Sequence, residues 1–287
     1  MRKYYLGTAA GAALLAIGAA TPAQAAPSYA FANLLVTNFA LQGLGSSGVA
    51  ITSSTVTLSS TAGYPGFPAA VNSVGGDIVV GGDSGQATAG PGAFPGTDVF
   101  TQALLASSGT RGQSQITGPI GGAATTSDVS EGRLSLATGS ASSTAGTTTG
   151  IAIDITVATT TSFTLTFSAS DFLTATTAQS GDGASSQTQA TFSVTNGTTG
   201  STLVSYAPGT LNAGVSASGV GGAQSISNAA AAYGITFTLS AGSYQINILS
   251  GTQERLQTNA PEPVSIALLG TGLVGLGVIR RRRKQSA

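Results

Sequence analysis

Carboxylates are the side chains on which acid–base chemistry in this chain would have to rely, because its 287 residues include no His and no Cys. Their absence closes off a Ser-His-Asp triad, a Cys nucleophile, an ordinary zinc or iron–sulfur site and any disulfide framework. In the half of the chain richest in strand patterns, the candidate acids are Asp154, Asp171 and Asp182. A glycosidase would need two carboxyl groups held about 5–10 Å apart in a cleft, usually beside an aromatic platform. Trp is absent. Asp154 falls on the outward face of a predicted strand, Asp171 directly follows one, and Asp182 sits between glycines in a predicted loop. Solvation and turn chemistry account for all three. Asp77 and Asp83 lie in GGDIVVGGDSG, where glycines let carbonyl oxygens turn inward as if towards calcium. The spacing matches neither an EF-hand loop nor the nonapeptide calcium repeat. The GVGG run at 219–222 lacks the Lys of a P-loop. The expectation is a chain that is not an enzyme, with no catalytic, cofactor-binding or metal-binding residues; a carboxylate-dependent hydrolase is the weakest alternative.

Formal neutrality hides an uneven distribution. Between residues 26 and 260 the bases are Arg111, Arg133 and Arg255, and the acids are Asp77, Asp83, Asp98, Asp128, Glu131, Asp154, Asp171, Asp182 and Glu254. Nine acids against three bases leave this body at −6. A surface of that sign repels phosphate backbones, so nucleic acid is excluded as a partner. Polysaccharide is harder to dismiss. Tyr64, Phe67, Tyr206 and Tyr233 fall in or near predicted loops beside Gly or Pro, where rings could stack on sugars or simply cover the ends of a sandwich.

The elements that must position these residues are strands. Ile151, Ile153, Ile155 and Val157 alternate with polar or small residues, as do Phe163, Leu165 and Phe167, then Ala190, Phe192 and Val194, then Ile235, Phe237 and Leu239, and finally Tyr244, Ile246 and Ile248. Period-2 segments separated by Gly, Ser, Asn and Asp predict antiparallel strands with one buried face. The fold class that follows is all-β, an antiparallel β-sandwich of jelly-roll-like form. Asn196-Gly197 predicts a turn with positive φ, 241–243 a hairpin, and 174–186 an exposed loop. Upstream, 29–41 and 49–58 read as strands, the second bulged at its Ser pair. Residues 77–80 read as a short strand and 98–106 as a short helix capped by Thr97 or Asp98. Residues 121–150, rich in Gly, Ala, Ser and Thr, read as a flexible loop or linker. One interrupted sandwich and two lobes both fit; one domain is favoured. Exposed edges carry no Lys to discourage pairing, so self-association is an expectation too.

The two ends read as addresses. Residues 1–25 combine Arg2 and Lys3, an apolar run from 6 to 20 and the small-residue site Ala23-Gln24-Ala25, the layout of a secretory signal peptide cut by signal peptidase. Residues 264–279 form an uncharged apolar run followed by Arg280, Arg281, Arg282, Arg283 and Lys284. As a helix this run reaches roughly 24 Å, enough for one transmembrane helix when the bilayer thins and Arg snorkels. The cations stay on the cytoplasmic side, which places everything upstream outside the inner membrane.

Just ahead lie Pro261, Glu262 and Pro263, then Val264 and Ser265. Two prolines forbid helix continuation and leave an extended, accessible stretch. This three-part ending at 261–287, with motif 261–265, helix 264–279 and basic tail 280–284, resembles the PEP-CTERM sorting signal. Pro261, Glu262 and Pro263 match the family's recognition motif. The resemblance implies a substrate of exosortase, a membrane-embedded transpeptidase-like enzyme of Gram-negative bacteria that make extracellular polysaccharide. It implies an inner membrane-anchored precursor facing the periplasm, then a place on the cell surface or in the extracellular or biofilm matrix. The organisation expected is 1–25 signal peptide, 26–260 mature body and 261–287 sorting signal. The body's role is then structural or adhesive, with binding of extracellular polysaccharide as the alternative.

Overall fold

A computed structural model describes residues 27–77, 83–91, 99–104, 108–119, 123–135 and 139–260. The signal-peptide and sorting-signal readings, including Ala23, Ala25, Pro261, Glu262, Pro263 and the cluster Arg280 to Lys284, lie outside the described residues. The strands are β1 (Ser28–Gln42), β2 (Val49–Gly63), β3 (Ala70–Asp77), β4 (Asp83–Ala89), β5 (Gly109–Thr117), β6 (Ala124–Leu134), β7 (Gly139–Val157), β8 (Thr161–Thr176), β9 (Gly183–Asn196), β10 (Thr202–Tyr206), β11 (Gly214–Ser218), β12 (Ala223–Leu239) and β13 (Gly242–Ala260). There is no α-helix among the described residues, only a 3-10 turn at Gly209–Leu211.

Two antiparallel sheets form a β-sandwich. One runs β12-β8-β1-β6-β5-β4 and the other β10-β9-β13-β7-β2-β3, with β11 also on β9. Both sheets mix early and late strands, so neither half of the chain could close its core alone. The alternating apolar residues fill that core as expected. Ile151, Ile153, Ile155, Phe163, Leu165, Phe192, Val194, Leu239 and Ile246 are all buried in one cluster, which β1 and β2 complete through Leu34, Leu41 and Leu58. Stacked rings of Phe163 and Phe237, 5.5 Å apart, knit β8 to β12. At the other end, a cluster of smaller residues gathers Ala30, Ala32, Tyr64, Leu134, Leu173 and Leu256.

Several local expectations are corrected. The described residues of 121–150 are not a linker: β6 and the first half of β7 run through them. The small residues there suit a site hydrogen-bonded on both sides, with β7 between β13 and β2, and Gly112 shows how close the sheets come. A Cβ on it would lie 2.6 Å from the Gly146 carbonyl of the opposite sheet. The described part of the expected 98–106 helix, 99–104, is irregular, because its backbone groups are claimed by side chains of β5 and β6 rather than by each other. The 174–186 loop shrinks to 177–182. Residues 241–243 do not close a hairpin, since β12 pairs with β8 and β13 with β7 and β9, so the turn crosses between sheets. At the β9–β10 hairpin, positive φ falls on Gly200 rather than Gly197, because the Asn196 side chain accepts from the Thr198 and Thr199 amides and organises the turn. The β2 register shift lies between Ile51 and Ser53, one residue ahead of the expected Ser pair. The 77–80 strand is Ala70–Asp77, and residues 78–80 lie outside the described set.

Candidate functional site

The outer face of the seven-stranded sheet carries a trough, and strand register explains its composition. Ser59 of β2, Thr148 of β7, Gly251 of β13 and Gln189 of β9 lie abreast. One step along lie Thr61, Gly146, Gln253 and Gln187, and on the other side Thr57, Gly150, Leu249 and Thr191. Residues directly opposite share a face, so the glycines set the floor and the longer side chains the walls. Two depressions of about 270 and 330 Å³ meet at Leu249. Ser59, Thr61, Gln187, Gln189 and Gln253 line the first, and Thr55, Thr57, Ser193 and Asn247 the second. No charged side chain lines either. Gln187 donates its amide to the Gln253 side-chain oxygen at 2.6 Å across the floor, which leaves further amide donors and acceptors for a ligand. An array of uncharged amides and hydroxyls in an open channel suits a neutral, hydroxyl-rich chain.

A second groove, about 620 Å³, lies on the outer face of the six-stranded sheet. Phe31 and Phe172 pack at 5.9 Å on its floor, and the 99–104 segment forms one wall through Phe100 and Gln102. A buried clasp fixes that wall. Arg111 of β5 and Glu131 of β6 are register partners and form an ion pair at 2.8 Å with both side chains fully buried. Arg111 also donates to the carbonyls of Val99 and Thr101. Glu131 accepts from the amides of Ala103 and Leu104 at 2.9 and 3.0 Å and from the Tyr29 hydroxyl at 2.7 Å. Burial, reinforced by the Glu131 charge, pushes the Tyr29 hydroxyl far up from its usual range. Asn33 donates to the Phe100 carbonyl at 2.7 Å.

Between the sheets, a polar layer separates the two apolar clusters. Asp128 accepts from Thr149 at 2.9 Å and Ser250 at 2.6 Å, both on the opposite sheet. Burial raises its carboxyl to about 6, an effect the Ser250 and Thr149 hydroxyls partly offset. Ser60 and Ser114 bridge the sheets at 3.2 Å, as do Thr126 and Ser250 at 3.3 Å. Glu254 is fully buried, and burial, then the Glu131 charge, pushes its carboxyl well up. Neither Glu254 nor Asp171 has a hydrogen-bond partner for its carboxyl among the described residues.

The acids singled out in the sequence are not brought together. Asp154 is on the outer face, held by Ser53 at 2.5 Å and Gln245 at 3.0 Å. Asp171 does not follow a strand; it lies within β8, buried opposite Leu34, and burial raises its carboxyl. Asp182 is not exposed either. It accepts from Ser28, the Gln179 amide and the Asn259 amide, so turn chemistry does explain it. Asp77 ends β3 and Asp83 opens β4; no group of three or more candidate metal ligands occurs among the described residues. With Asp128, Glu131, Asp171, Asp182 and Glu254 all buried, the body's surface is far less acidic than its composition. The four rings do not form one platform. Tyr64 packs on Phe67 at 5.8 Å, while Tyr206 and Tyr233 flank Phe167 at 6.5 and 5.3 Å. Tyr206 ends β10 at the edge of a loop, whereas Tyr233 lies within β12.

The sequence matches no family model, and no curated protein or solved structure matches the chain.

Proposed function

We propose that this chain is an exported cell-surface or extracellular-matrix protein, sorted and processed by exosortase, whose body is a structural or adhesive β-sandwich of jelly-roll-like winding. The observation that carries this reading is the order of three parts at the C-terminus: Pro261-Glu262-Pro263, an uncharged run of 16 residues at 264–279, and a cluster of five cations. Each part alone is commonplace; together, and after a signal-peptide-like start, they describe a precursor held at the inner membrane with its body outside. Signal peptidase acts at Ala25 and exosortase near the motif. A body without His or Cys, in which Asp128, Glu131, Asp171, Asp182 and Glu254 are all buried, suits structural work rather than turnover. Replacing Pro261, Glu262 and Pro263 by alanines is the test. The expected result is an uncleaved, membrane-held precursor, with mass spectrometry of the wild-type product finding neither residues 1–25 nor the Arg cluster. Unchanged release of the alanine variant refutes the reading.

A second reading, binding of extracellular polysaccharide, is favoured by the trough on the seven-stranded sheet. Its walls of Gln, Asn, Ser and Thr lack charge, which selects neutral over anionic glycans. Affinity electrophoresis through gels containing a neutral or an acidic polysaccharide tests this: retardation by the neutral gel alone, weakened by Gln253→Ala and insensitive to salt, is expected. Equal mobility in both gels removes the reading.

A further inference from the structure

We infer that β12 is an interaction edge that pairs with β12 of a second copy of this chain, joining two six-stranded sheets through backbone hydrogen bonds. The inference goes beyond sorting and concerns the folded body alone.

The argument starts from what the four sheet edges expose. β3 and β4 end their sheets on one side of the sandwich, where the Asn72 side chain of β3 donates to the Gln86 carbonyl of β4 at 3.2 Å and bridges the two edges. On the other side, the seven-stranded sheet ends in two strands of five residues, β10 and β11, interrupted by Pro208 and a 3-10 turn. Short, broken, Pro-containing edges resist strand addition. β12 differs. It is 17 residues long and pairs only with β8 among the described residues. Its sequence, AQSISNAAAAYGITFTL, has no charged residue and no Pro. One irregularity, between Asn228 and Ala231, interrupts it. Beyond that point, Ala231 through Leu239 stay in unbroken register with β8, so alternate N–H and C=O groups point outward in an even row.

Two observations select a second copy as the occupant. The first is electrostatic: with five of the body's acids buried and none on this edge, little repulsion keeps identical molecules apart, and a surface near neutrality favours association. The second is continuity of the core. Tyr233 and Ile235 of β12, with Val204 and Tyr206 of β10, are only partly buried against the main apolar cluster, and neighbouring Leu203 is 50% exposed. This rim is a core left incomplete on one side. A two-fold operation places the same apolar rim against itself, which is what an isologous contact requires, and an antiparallel edge pair obeys that symmetry.

The absence of Cys makes the test clean. Full-length chain in mild detergent is followed by sedimentation velocity across concentration, alongside Ala232→Lys and Thr238→Lys; both parent side chains are exposed, and circular dichroism checks that the variants fold. Reversible dimers are expected for the wild type, with the dissociation constant raised at least tenfold by either Lys. Single-Cys variants at Ala230, Ala232, Thr236 and Thr238 are then oxidised. An isologous edge has one two-fold axis, so disulfide dimers should peak at one position and fall away on either side. A wild type monomeric at every concentration overturns the inference, as does association that both Lys variants leave unchanged, the outcome expected if the apolar chain ends drive it. Cross-linking equal at all four positions overturns it as well.

Discussion

Replacing Asp128 by Asn should flatten a pH dependence that the polar layer imposes on the fold. The Asp128 carboxyl titrates near 6 in the folded chain, against 3.8 in a free side chain, because burial opposes its ionisation more than the Ser250, Thr149 and Thr147 hydroxyls favour it. Below 3.8 both folded and unfolded chains hold the proton. Between 3.8 and 6 the unfolded chain loses it while the folded chain keeps it, so the native state binds more protons and stability falls as pH rises. Above 6 both are ionised and the loss is complete. A gap of roughly two pH units corresponds to about 3 kcal/mol. Glu254 and Asp171, also pushed up by burial, add losses of the same sign. The wild type should therefore be more stable near pH 4 than near pH 7. Asn cannot ionise, and its amide still meets hydroxyls able to donate or accept, so Asp128→Asn should remove about 3 kcal/mol of that fall. Urea unfolding followed by circular dichroism at a series of pH values measures both curves. A wild type whose stability is flat or rising across this window refutes the reasoning, as does a variant with the same slope.

Arg111→Met strands Glu131 as a buried, unpaired charge and frees the 99–104 wall. A loss of about 3–5 kcal/mol is expected by chemical denaturation, with Arg111→Met/Glu131→Gln recovering a large part of it; if the double variant is no better than the single one, the clasp is not electrostatic. Gly112→Ala places a Cβ 2.6 Å from the Gly146 backbone carbonyl of the opposite sheet. Overpacking of this kind costs about 1–3 kcal/mol, and a melting temperature within error of wild type would show that the two sheets separate there more easily than their packing implies.

The strands of the second half were legible because alternation is a local property. Ile151, Phe163, Phe192 and Ile246 announce their buried face from sequence alone, and the same rule turns Thr191, Ser193 and Asn247 outward. The region 121–150 was not legible, because Gly, Ala, Ser and Thr also make linkers. What makes it strand is the presence of β13 and β2 on either side of β7, a pairing that reaches from Gly139 to Ala260. Asp171 was misplaced for a related reason: a carboxylate at the end of an apolar run reads as a terminus, whereas β8 continues through it because β1 and β12 flank it on both sides.

The candidate trough divides in the same way. Alternation turned Thr191, Ser193 and Asn247 outward, but their convergence with Ser59, Gln187, Gln189 and Gln253 depends on β9, β13, β7 and β2 lying in that order. The buried Arg111–Glu131 pair left no signal at all, since 20 positions separate residues that only strand pairing brings abreast. By itself, then, the sequence determined what is written in contiguous residues: the alternation that makes strands and the absence of His and Cys. Strand order, the sheet edges left open, and which acids lose their water were decided by tertiary structure, because each depends on contacts between segments whose proximity no local pattern encodes.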